Sequence, residues 1–189
     1  ERLVAILNEK TSNYETDLFM PILEKIVEIS GKELDFEDGV PHRVISDHLR
    51  MLSFSMADGV MPGNEGREYV LRRILRRAAR YGRMLNMKDP FIYQLTETLC
   101  QIMGEAYPEL LEKKSHIKQV IKSEETSFLK TLDKGIIIFD KITSNLSKDQ
   151  KISGVDAFRL YDTYGFPLDL TELLAKKKGL SIDLKEFNK

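Results

Sequence analysis

Apolar residues along most of this chain recur at steps of three and four positions, the spacing of one buried face on an α-helix. In residues 108–142, for example, Ile117, Ile121, Phe128 and Leu132 keep this spacing, and a helix of that length spans roughly 50 Å at about 1.5 Å per residue. Capping and turn residues indicate the other boundaries. The predicted helices cover residues 3–7, 17–30, 42–57, 67–82, 108–142 and 155–164, and two more begin at residues 89 and 169.

The segments between these helices are polar, and only one of them favours a β-strand. Residues 143–154 are rich in Ser, Lys and Asp, which indicates a loop between two subdomains. Residues 180–182 can form a small strand. We therefore predict an all-α or mainly α fold: a multi-helix bundle with one long helix, a small C-terminal helical subdomain and at most a short strand pair.

Positive charge is concentrated on one predicted helix, although the whole chain is slightly acidic. Residues 67–83 contain seven arginines and one acid, Glu68, whereas the formal net charge of the chain is −1. At about 100° per residue, all of these arginines except Arg67 fall within an arc of roughly 140°. Apolar residues occupy the opposite side: Val70, Leu71, Ile74, Leu75, Ala78 and Tyr81. The pattern predicts a helix that buries one face and presents guanidinium groups, which suit phosphate contacts, on the other.

Composition narrows the class of protein further. A single cysteine, Cys100, excludes an internal disulfide and a Cys-rich zinc site, so we expect no metal. No apolar run approaches 18 residues, which predicts no membrane span, and the first residues are typical of neither a signal peptide nor a transit peptide. We expect a cytoplasmic protein, and the absence of an initial methionine is what an excised fragment would show.

Four segments resemble the alanyl-tRNA synthetase family of class II aminoacyl-tRNA synthetases, in the order and at the spacing of that family. They are SNY with DLF at 12–19, ADGVMPGNEGR at 57–67, YVLRRILRR at 69–77 and FRLYDTYGFP at 158–167. Together they extend over nearly the whole chain. One departure is Gly63, which stands where the family often has Ser and is expected to loosen the loop that carries Asn64.

The resemblance implies a domain assignment. The third motif of the family's catalytic domain closes with Glu-Arg, which Glu1 and Arg2 match. We expect residues 1–31 to be the end of the class II catalytic domain, 32–143 the helical domain that binds the tRNA acceptor stem, and 144–189 the C-terminal part of the tRNA-recognition domain. The parent enzyme would be an alanine–tRNA ligase, which forms alanyl-adenylate from alanine and ATP and transfers alanine to tRNA.

The same resemblance assigns cofactors and partners. ATP with Mg²⁺ would belong to the parent, and zinc to an editing domain beyond residue 189. This fragment alone would hold no cofactor and be catalytically inactive. Its expected partners are the acceptor stem of tRNA(Ala) and the rest of the parent synthetase.

Site residues follow from the matched motifs. The family recognises a G·U wobble pair near the end of the acceptor stem, and Asn64 and Asp162 match its readers. The guanine 2-amino group is not used in a wobble pair, so it is a free donor in the wide minor groove of A-form RNA. A carboxylate accepts such a donor, and an amide both donates and accepts. Arg2 matches the arginine that meets the ATP phosphates. The arginines expected to hold tRNA are Arg67, Arg72, Arg73, Arg76, Arg77 and Arg80.

Three alternatives to this function remain open at the level of sequence. An arginine helix next to a loop is also typical of helical DNA-binding modules, which would favour duplex DNA. A structural helical scaffold would bind neither nucleic acid. A solvated helix face would explain the charge without any ligand, although such faces usually mix both signs of charge.

Overall fold

The structure, a computed structural model, describes residues 2–148, 150–164 and 166–188. Glu1 and Gly165, which belong to two of the motifs, lie outside the described residues, as does the side chain of Asp169, which the sequence predicts as a helix cap. The chain divides into two compact units, Glu1–Thr126 and Ser127–Lys189. The functional boundaries predicted at residues 31 and 143 stay predictions.

The described residues are mainly helical, which confirms the predicted fold class. They form ten α-helices, one 3-10 turn at Asn13–Glu15 and two strands of two residues each. No helix in the described ranges is both long and apolar enough to cross a bilayer. The α-helices are α1 Arg2–Leu7, α2 Met20–Ser30, α3 Val40–Ala57, α4 Gly66–Met84, α5 Ile92–Met103, α6 Pro108–Glu112, α7 Lys114–Thr143, α8 Gly154–Asp162, α9 Leu168–Lys177 and α10 Leu184–Phe187.

An aliphatic core holds the first unit together. Helix α3 packs along α4 and also contacts α2, α5 and α6. Burial of these side chains is the main stabilising contribution to the unit, since each fully buried aliphatic side chain contributes about 1.5–3 kcal/mol. The core includes Ile22, Leu23 and Ile26 of α2, Ile45, Leu49, Leu52 and Met56 of α3, Leu71 and Leu75 of α4, and Leu95 and Leu99 of α5.

Local capping sets the boundaries of α2. The helix begins at Met20 rather than at residue 17, because the preceding residues form a 3-10 turn with its own capping box. In that box the backbone N–H of Ser12 donates to Oε1 of Glu15 at 2.9 Å. The helix ends where the sequence predicts, at Gly31, whose φ of 63° is the left-handed conformation that glycine adopts without strain.

Other helix boundaries also differ from the sequence prediction: α3 begins at Val40 rather than at residue 42, and α8 ends at Asp162 rather than at residue 164. Three further differences coincide with tertiary contacts. The predicted rod at 108–142 is interrupted at Lys113, whose Nζ donates to the carbonyl of Ala57 at the end of α3. Helix α4 continues past Gly82 to Met84, and this glycine packs against the ring of Phe91. Helix α5 begins at Ile92 rather than at residue 89, and its cap is the carboxylate of Glu125.

The second unit is built around a minimal parallel sheet. Strand β1, Lys151–Ile152, pairs with β2, Ser181–Ile182, in the register Lys151↔Ser181 and Ile152↔Ile182. Helices α8 and α9 connect the two strands, as a parallel pair requires a crossover. Strand β2 lies within the segment 180–182 predicted to be a strand, whereas β1 lies in the segment predicted to be a loop, so that part of the prediction was wrong.

Candidate nucleic-acid interface

The arginines of α4 divide into an exposed set and a partly buried set. Arg67, Arg73 and Arg77 are exposed, whereas Arg72, Arg76 and Arg80 are partly buried. Arg73 and Arg77 are one helical turn apart and therefore neighbours on the helix surface. The exposed guanidinium groups are accessible to a ligand from solvent, and Cζ of Arg77 also lies 5.9 Å from the centre of the Tyr81 ring.

The buried face of α4 explains this division. It consists of Leu71, Leu75, Ala78, Ala79 and Gly82, and at 100° per residue its centre is turned by roughly 60° from the predicted apolar side, towards Arg72 and Arg76. Val70, predicted to face the core, is 49% exposed, so its assignment was wrong. Two small residues, Ala79 and Gly82, are buried on that side, where the ring of Phe91 packs against Gly82.

Arg76 and Arg80 are held in partly desolvated environments. Burial lowers the pKa of the Arg76 guanidinium, and the nearby charge of Arg72 lowers it further while Glu124 raises it. Burial likewise lowers the pKa of Arg80, and Tyr81 offsets part of this change. The ring of Tyr81 lies 5.5 Å from Cζ of Arg80, within the range of a cation–π contact. Both arginines remain cations at neutral pH but have partners within the protein.

Arg72 connects the loop that carries Asn64, residues 60–65 (the Asn64 loop), to helix α7. Its Nε and Nη2 donate to the two carboxylate oxygens of Glu124, at 3.0 and 2.9 Å. Its Nη1 donates to Oδ1 of Asn64, and Nη2 also donates to the carbonyl of Pro62 at 3.4 Å. One guanidinium therefore joins α4, α7 and the Asn64 loop through a planar set of donors.

Backbone contacts close the Asn64 loop against the first turn of α4. The N–H of Gly63 donates to the carbonyl of Glu68 at 3.0 Å. A Cβ at Gly63 would lie 2.7 Å from Cβ of Glu68 and 2.3 Å from its Oε2. The Ser that the family often has at this position would therefore require Glu68 to move, and Gly63 is tightly packed. The side chain of Asn64 itself is exposed.

Asp162 is the last residue of α8, and its side chain is exposed. The start of α8 is capped by Ser153, whose Oγ accepts from the N–H of Asp156 at 3.0 Å. At the other end, the ring of Tyr161 packs against that of Phe187 in α10, with ring centroids 5.9 Å apart. This contact lies next to Asp162 along the chain. Asp162 belongs to the second unit and Asn64 to the first.

Arg2 begins α1 and is exposed, next to apolar side chains that are also exposed. Leu3, Ile6 and Leu7 are 68%, 71% and 72% exposed. The assignment of Arg2 to an ATP phosphate stays a prediction. Within the described part of the chain, no three His, Cys, Asp or Glu side chains come together as metal ligands would.

Glu124 is the residue of this site that the sequence did not reveal. Its partner Arg72 lies 52 residues earlier in the chain, and the pattern of α7 does not distinguish Glu124 from other charged residues on that helix. The usable signal is the acidic pair Glu124-Glu125 in a helix rich in lysine. An ion pair between an arginine on one helix and an acid on another can be recognised only once the packing of the two helices is known.

Comparisons with known proteins agree with the resemblance in the motifs. Residues 1–189 match the sequence model of the family described as tRNA synthetases class II (A). The chain is 49% identical over 193 residues to the alanine–tRNA ligase of Chlorobium chlorochromatii, covering 99% of the chain and 22% of that protein. It is 50% identical over 191 residues to the alanine–tRNA ligase of Streptococcus thermophilus, covering 99% of the chain and 22% of that protein.

A third relative gives the same result. The alanine–tRNA ligase of Thermotoga maritima is 48% identical over 191 residues, covering 100% of the chain and 22% of that protein. The chain therefore spans about a fifth of the length of the curated relatives it matches.

Proposed function

This chain belongs to the class II tRNA synthetase family as a segment of an alanine–tRNA ligase, and on this premise we propose that it grips the acceptor stem of tRNA(Ala) and reads a G·U wobble pair there. The observation that carries the proposal is the placement of exposed Arg67, Arg73 and Arg77 on the helix that directly follows the Asn64 loop. A phosphate-binding surface thus adjoins an exposed side chain suited to read base edges.

The two kinds of residue have different tasks. Arginine contacts to phosphate provide affinity and register, and they carry no sequence information. Contacts to base edges discriminate by about 1–3 kcal/mol each. We assign the first task to the exposed arginines of α4 and the second to Asn64 and Asp162. The exposed carboxylate of Asp162 is an acceptor when ionised, so it suits the unpaired 2-amino group of a wobble guanine.

The activity of the longer protein supplies the reason for this recognition. That protein would form alanyl-adenylate from alanine and ATP and transfer alanine to the bound tRNA. Arg2 is the one residue of this chain that we assign to ATP, as a phosphate contact that needs further groups from the rest of the enzyme. We place Mg²⁺ with that ATP, and zinc in an editing domain outside this chain. Adenylate formation and alanine transfer would be carried out by other parts of the enzyme.

The exposed apolar face of α1 suits contact with the rest of the parent synthetase. Leu3, Ile6 and Leu7 would be buried there. Burial of apolar surface contributes about 25 cal/mol of favourable free energy per Å². We place the assembled enzyme in the cytoplasm, the compartment in which uncharged tRNA is its substrate.

A three-ligand titration tests the proposal. The chain is titrated with an acceptor-stem hairpin RNA that contains G·U, with the same hairpin containing G·C, and with duplex DNA of equal length. We expect the G·U hairpin to bind roughly tenfold more tightly than the G·C hairpin, the size of one base-edge contact, and the DNA to bind most weakly. Preference for DNA would support a helical DNA-binding module, and no binding at moderate salt would support a structural scaffold.

A further inference from the structure

We propose that Glu124 is a positioning residue that, through Arg72, orients the side-chain amide of Asn64 as a hydrogen-bond donor towards the minor groove of the bound stem. The proposal deepens the function proposed above and rests on it. It assigns a role to Glu124, which makes no contact with RNA in this scheme, and it changes the expected role of Arg72 from phosphate contact to support of the Asn64 loop.

The orientation of the Asn64 amide follows from the chemistry of its partner. A guanidinium has donors only. The atom of Asn64 that faces Nη1 of Arg72 must therefore be the oxygen, Oδ1, and the nitrogen is on the other side of the amide. Among the described residues, none accepts a hydrogen bond from this Nδ2. The exposed side chain thus offers the N–H donors of Nδ2 to a ligand on the side away from Arg72.

Glu124 is what keeps Arg72 in this position. Two hydrogen bonds join Arg72 to the carboxylate of Glu124, and both lie in the plane of the guanidinium. Together they form a fork that fixes the orientation of that plane. The two side chains are 18% and 26% exposed, so solvent competes with them less than at an open surface. Four of the five N–H groups of Arg72 have acceptors in Glu124, Asn64 and Pro62.

The same geometry argues against Arg72 as a phosphate contact. The carboxylate of Glu124 offsets the charge of Arg72, and one N–H remains for any other partner. A phosphate bound by the two donors of this fork would have to displace Glu124 and leave that acid partly buried without its partner, which is costly. Arg73, the next residue on α4, is exposed and needs no such exchange.

A donor at Asn64 defines the kind of atom that it reads. The 2-amino group of guanine is itself a donor, so an amide N–H cannot accept it, and that contact falls to an acceptor such as Asp162. The partners open to Asn64 Nδ2 are acceptors of the minor groove: the N3 of a purine, the O2 of a pyrimidine or the oxygen of a ribose 2′-hydroxyl. Asn64 would therefore act as a hydrogen-bond donor to the base pair, and Asp162 as an acceptor.

The test compares discrimination with affinity in matched variants. Binding of the G·U and G·C hairpins is measured for the unchanged chain and for Glu124→Gln, Glu124→Ala, Arg72→Lys, Asn64→Ala and Glu124→Ala with Asn64→Ala. Glu112→Gln is the control, because it removes an equal charge from an exposed acid outside α7. Arg72→Lys keeps the charge but cannot form the planar fork. Circular dichroism verifies that each variant is folded.

We expect Glu124→Ala and Arg72→Lys to lose part of the roughly tenfold preference for G·U while the affinity for the G·C hairpin is retained. Glu124→Gln, which keeps one acceptor, should reduce the preference less. In the Asn64→Ala background, Glu124→Ala should cause no further loss, because it acts through Asn64. Equal weakening of both hairpins, or an unchanged preference in Glu124→Ala, would overturn the proposal.

A second measurement needs no RNA and separates the two possible failures. The side-chain amide of Asn64 is followed by ¹⁵N NMR, and we expect its order parameter to fall in Glu124→Ala and to stay unchanged in Glu112→Gln. If the unchanged chain does not prefer G·U, the proposed function fails and the amide alone decides whether Glu124 positions Asn64. An amide that stays equally ordered in Glu124→Ala would refute the positioning role.

Discussion

Two consecutive glutamates of α7 have opposite environments. Glu124 is partly exposed and paired with the guanidinium of Arg72. Glu125 is completely buried, and its two oxygens accept the backbone N–H groups of Phe91 and Ile92, both at 3.1 Å. Burial raises the pKa of Glu125 from 4.5 to about 8, although these two hydrogen bonds act in the other direction. This carboxyl group therefore caps α5 in its protonated form at neutral pH.

The shifted pKa of Glu125 predicts a pH dependence of stability. Because the folded state holds this proton up to about pH 8 and the unfolded state releases it near 4.5, the free energy of unfolding should decrease as the pH rises between these values. The slope should reach about 1.4 kcal/mol per pH unit. Glu125→Gln, which has no proton to release, should lack this slope in urea unfolding experiments between pH 5 and 8.

The unchanged chain and Glu125→Gln should differ in how their free energy of unfolding depends on pH, and this difference isolates the contribution of Glu125. His42, whose pKa is lowered by burial, is present in both proteins, so its contribution to the pH dependence of stability cancels. Acids whose pKa is lowered, such as Glu97 beside Lys114, titrate at lower pH. Glu112→Gln serves as the exposed control and should retain the full pH dependence. Parallel stability curves for the unchanged chain and Glu125→Gln would contradict this assignment.

The exposed arginines of α4 give a prediction about salt. Arg73→Ala or Arg77→Ala should weaken binding of both hairpins equally, because phosphate contacts do not depend on sequence. Each change should also reduce the slope of log K against log salt by about 1. Lys10→Ala removes an equal charge outside α4 and should leave the slope unchanged. A change in the G·U preference with an unaltered slope would show that the arginine reads bases instead.

A matching prediction at Asp162 concerns specificity. Asp162→Ala should remove most of the preference for G·U over G·C, because the guanine 2-amino group loses its acceptor. The salt dependence should remain, since no phosphate contact is lost. Full discrimination by this variant in the hairpin titration would reject the role assigned to Asp162.

At the level of residues, the sequence predicts what depends on local pattern. The arginine face of α4 follows from helical periodicity, and the exposure of Arg73 and Arg77 agrees with it. Periodicity does not predict how far the helix rotates when it packs, so Val70 was assigned to the wrong side. The roles of Glu124 and Glu125 depend on contacts with residues 33 to 52 positions away, which no local pattern encodes.

Among the helices, α4 packs through a glycine against Phe91, the residue that precedes α5. A Cβ at Gly82 would lie 2.3 Å from Cε1 of Phe91, a ring that is 3% exposed. Gly82→Ala should therefore lower the free energy of unfolding by about 1–3 kcal/mol, although alanine favours an isolated helix by about 1 kcal/mol. Urea unfolding of Gly82→Ala and of Gly82→Ala with Phe91→Leu measures this. The smaller side chain should recover part of the loss, and a stabilised Gly82→Ala would contradict the packing.

The ends of helices were predicted well where the capping residue is adjacent in sequence, and poorly where the capping group comes from a distant part of the chain. Gly31 ends α2 as its sequence position indicates, since its left-handed conformation needs no distant partner. Asp89 and Pro90 are typical of a helix start, yet α5 begins at Ile92 because its first N–H groups are satisfied by Glu125. The break at Lys113 likewise involves a contact with the end of α3.

For the whole molecule, the distribution of charge is more informative than its sum. The net charge is −1, while residues 67–83 carry about +6, so the rest of the chain is acidic by about −7. Binding through the three exposed arginines alone should give a slope of log K against log salt near −3, whereas six phosphate contacts would give about −5. A titration of the G·U hairpin from 50 to 200 mM salt distinguishes the two. A slope near −5 would show that the partly buried arginines also reach phosphate.

The fold class was predictable because helical periodicity extends over most of the chain. The minimal sheet was predicted in part: residues 180–182 have strand character, but β1 consists of two residues in a polar segment, and its pairing with β2 depends on a partner 30 residues away. The domain functions and the tRNA contacts rest on motifs and remain predictions to be tested by the titrations above.

Because Glu124 and Glu125 are adjacent and make different contacts, the number of residues that precede them in α7 matters more than the identity of those residues. A residue inserted or deleted in the preceding turns would rotate both side chains by about 100° around the helix axis. Such a change would disconnect the Asn64 loop and uncap α5 at the same time. Substitutions on the solvent side of residues 114–123 should be tolerated by comparison, so this stretch is expected to vary among relatives in identity but not in the number of residues.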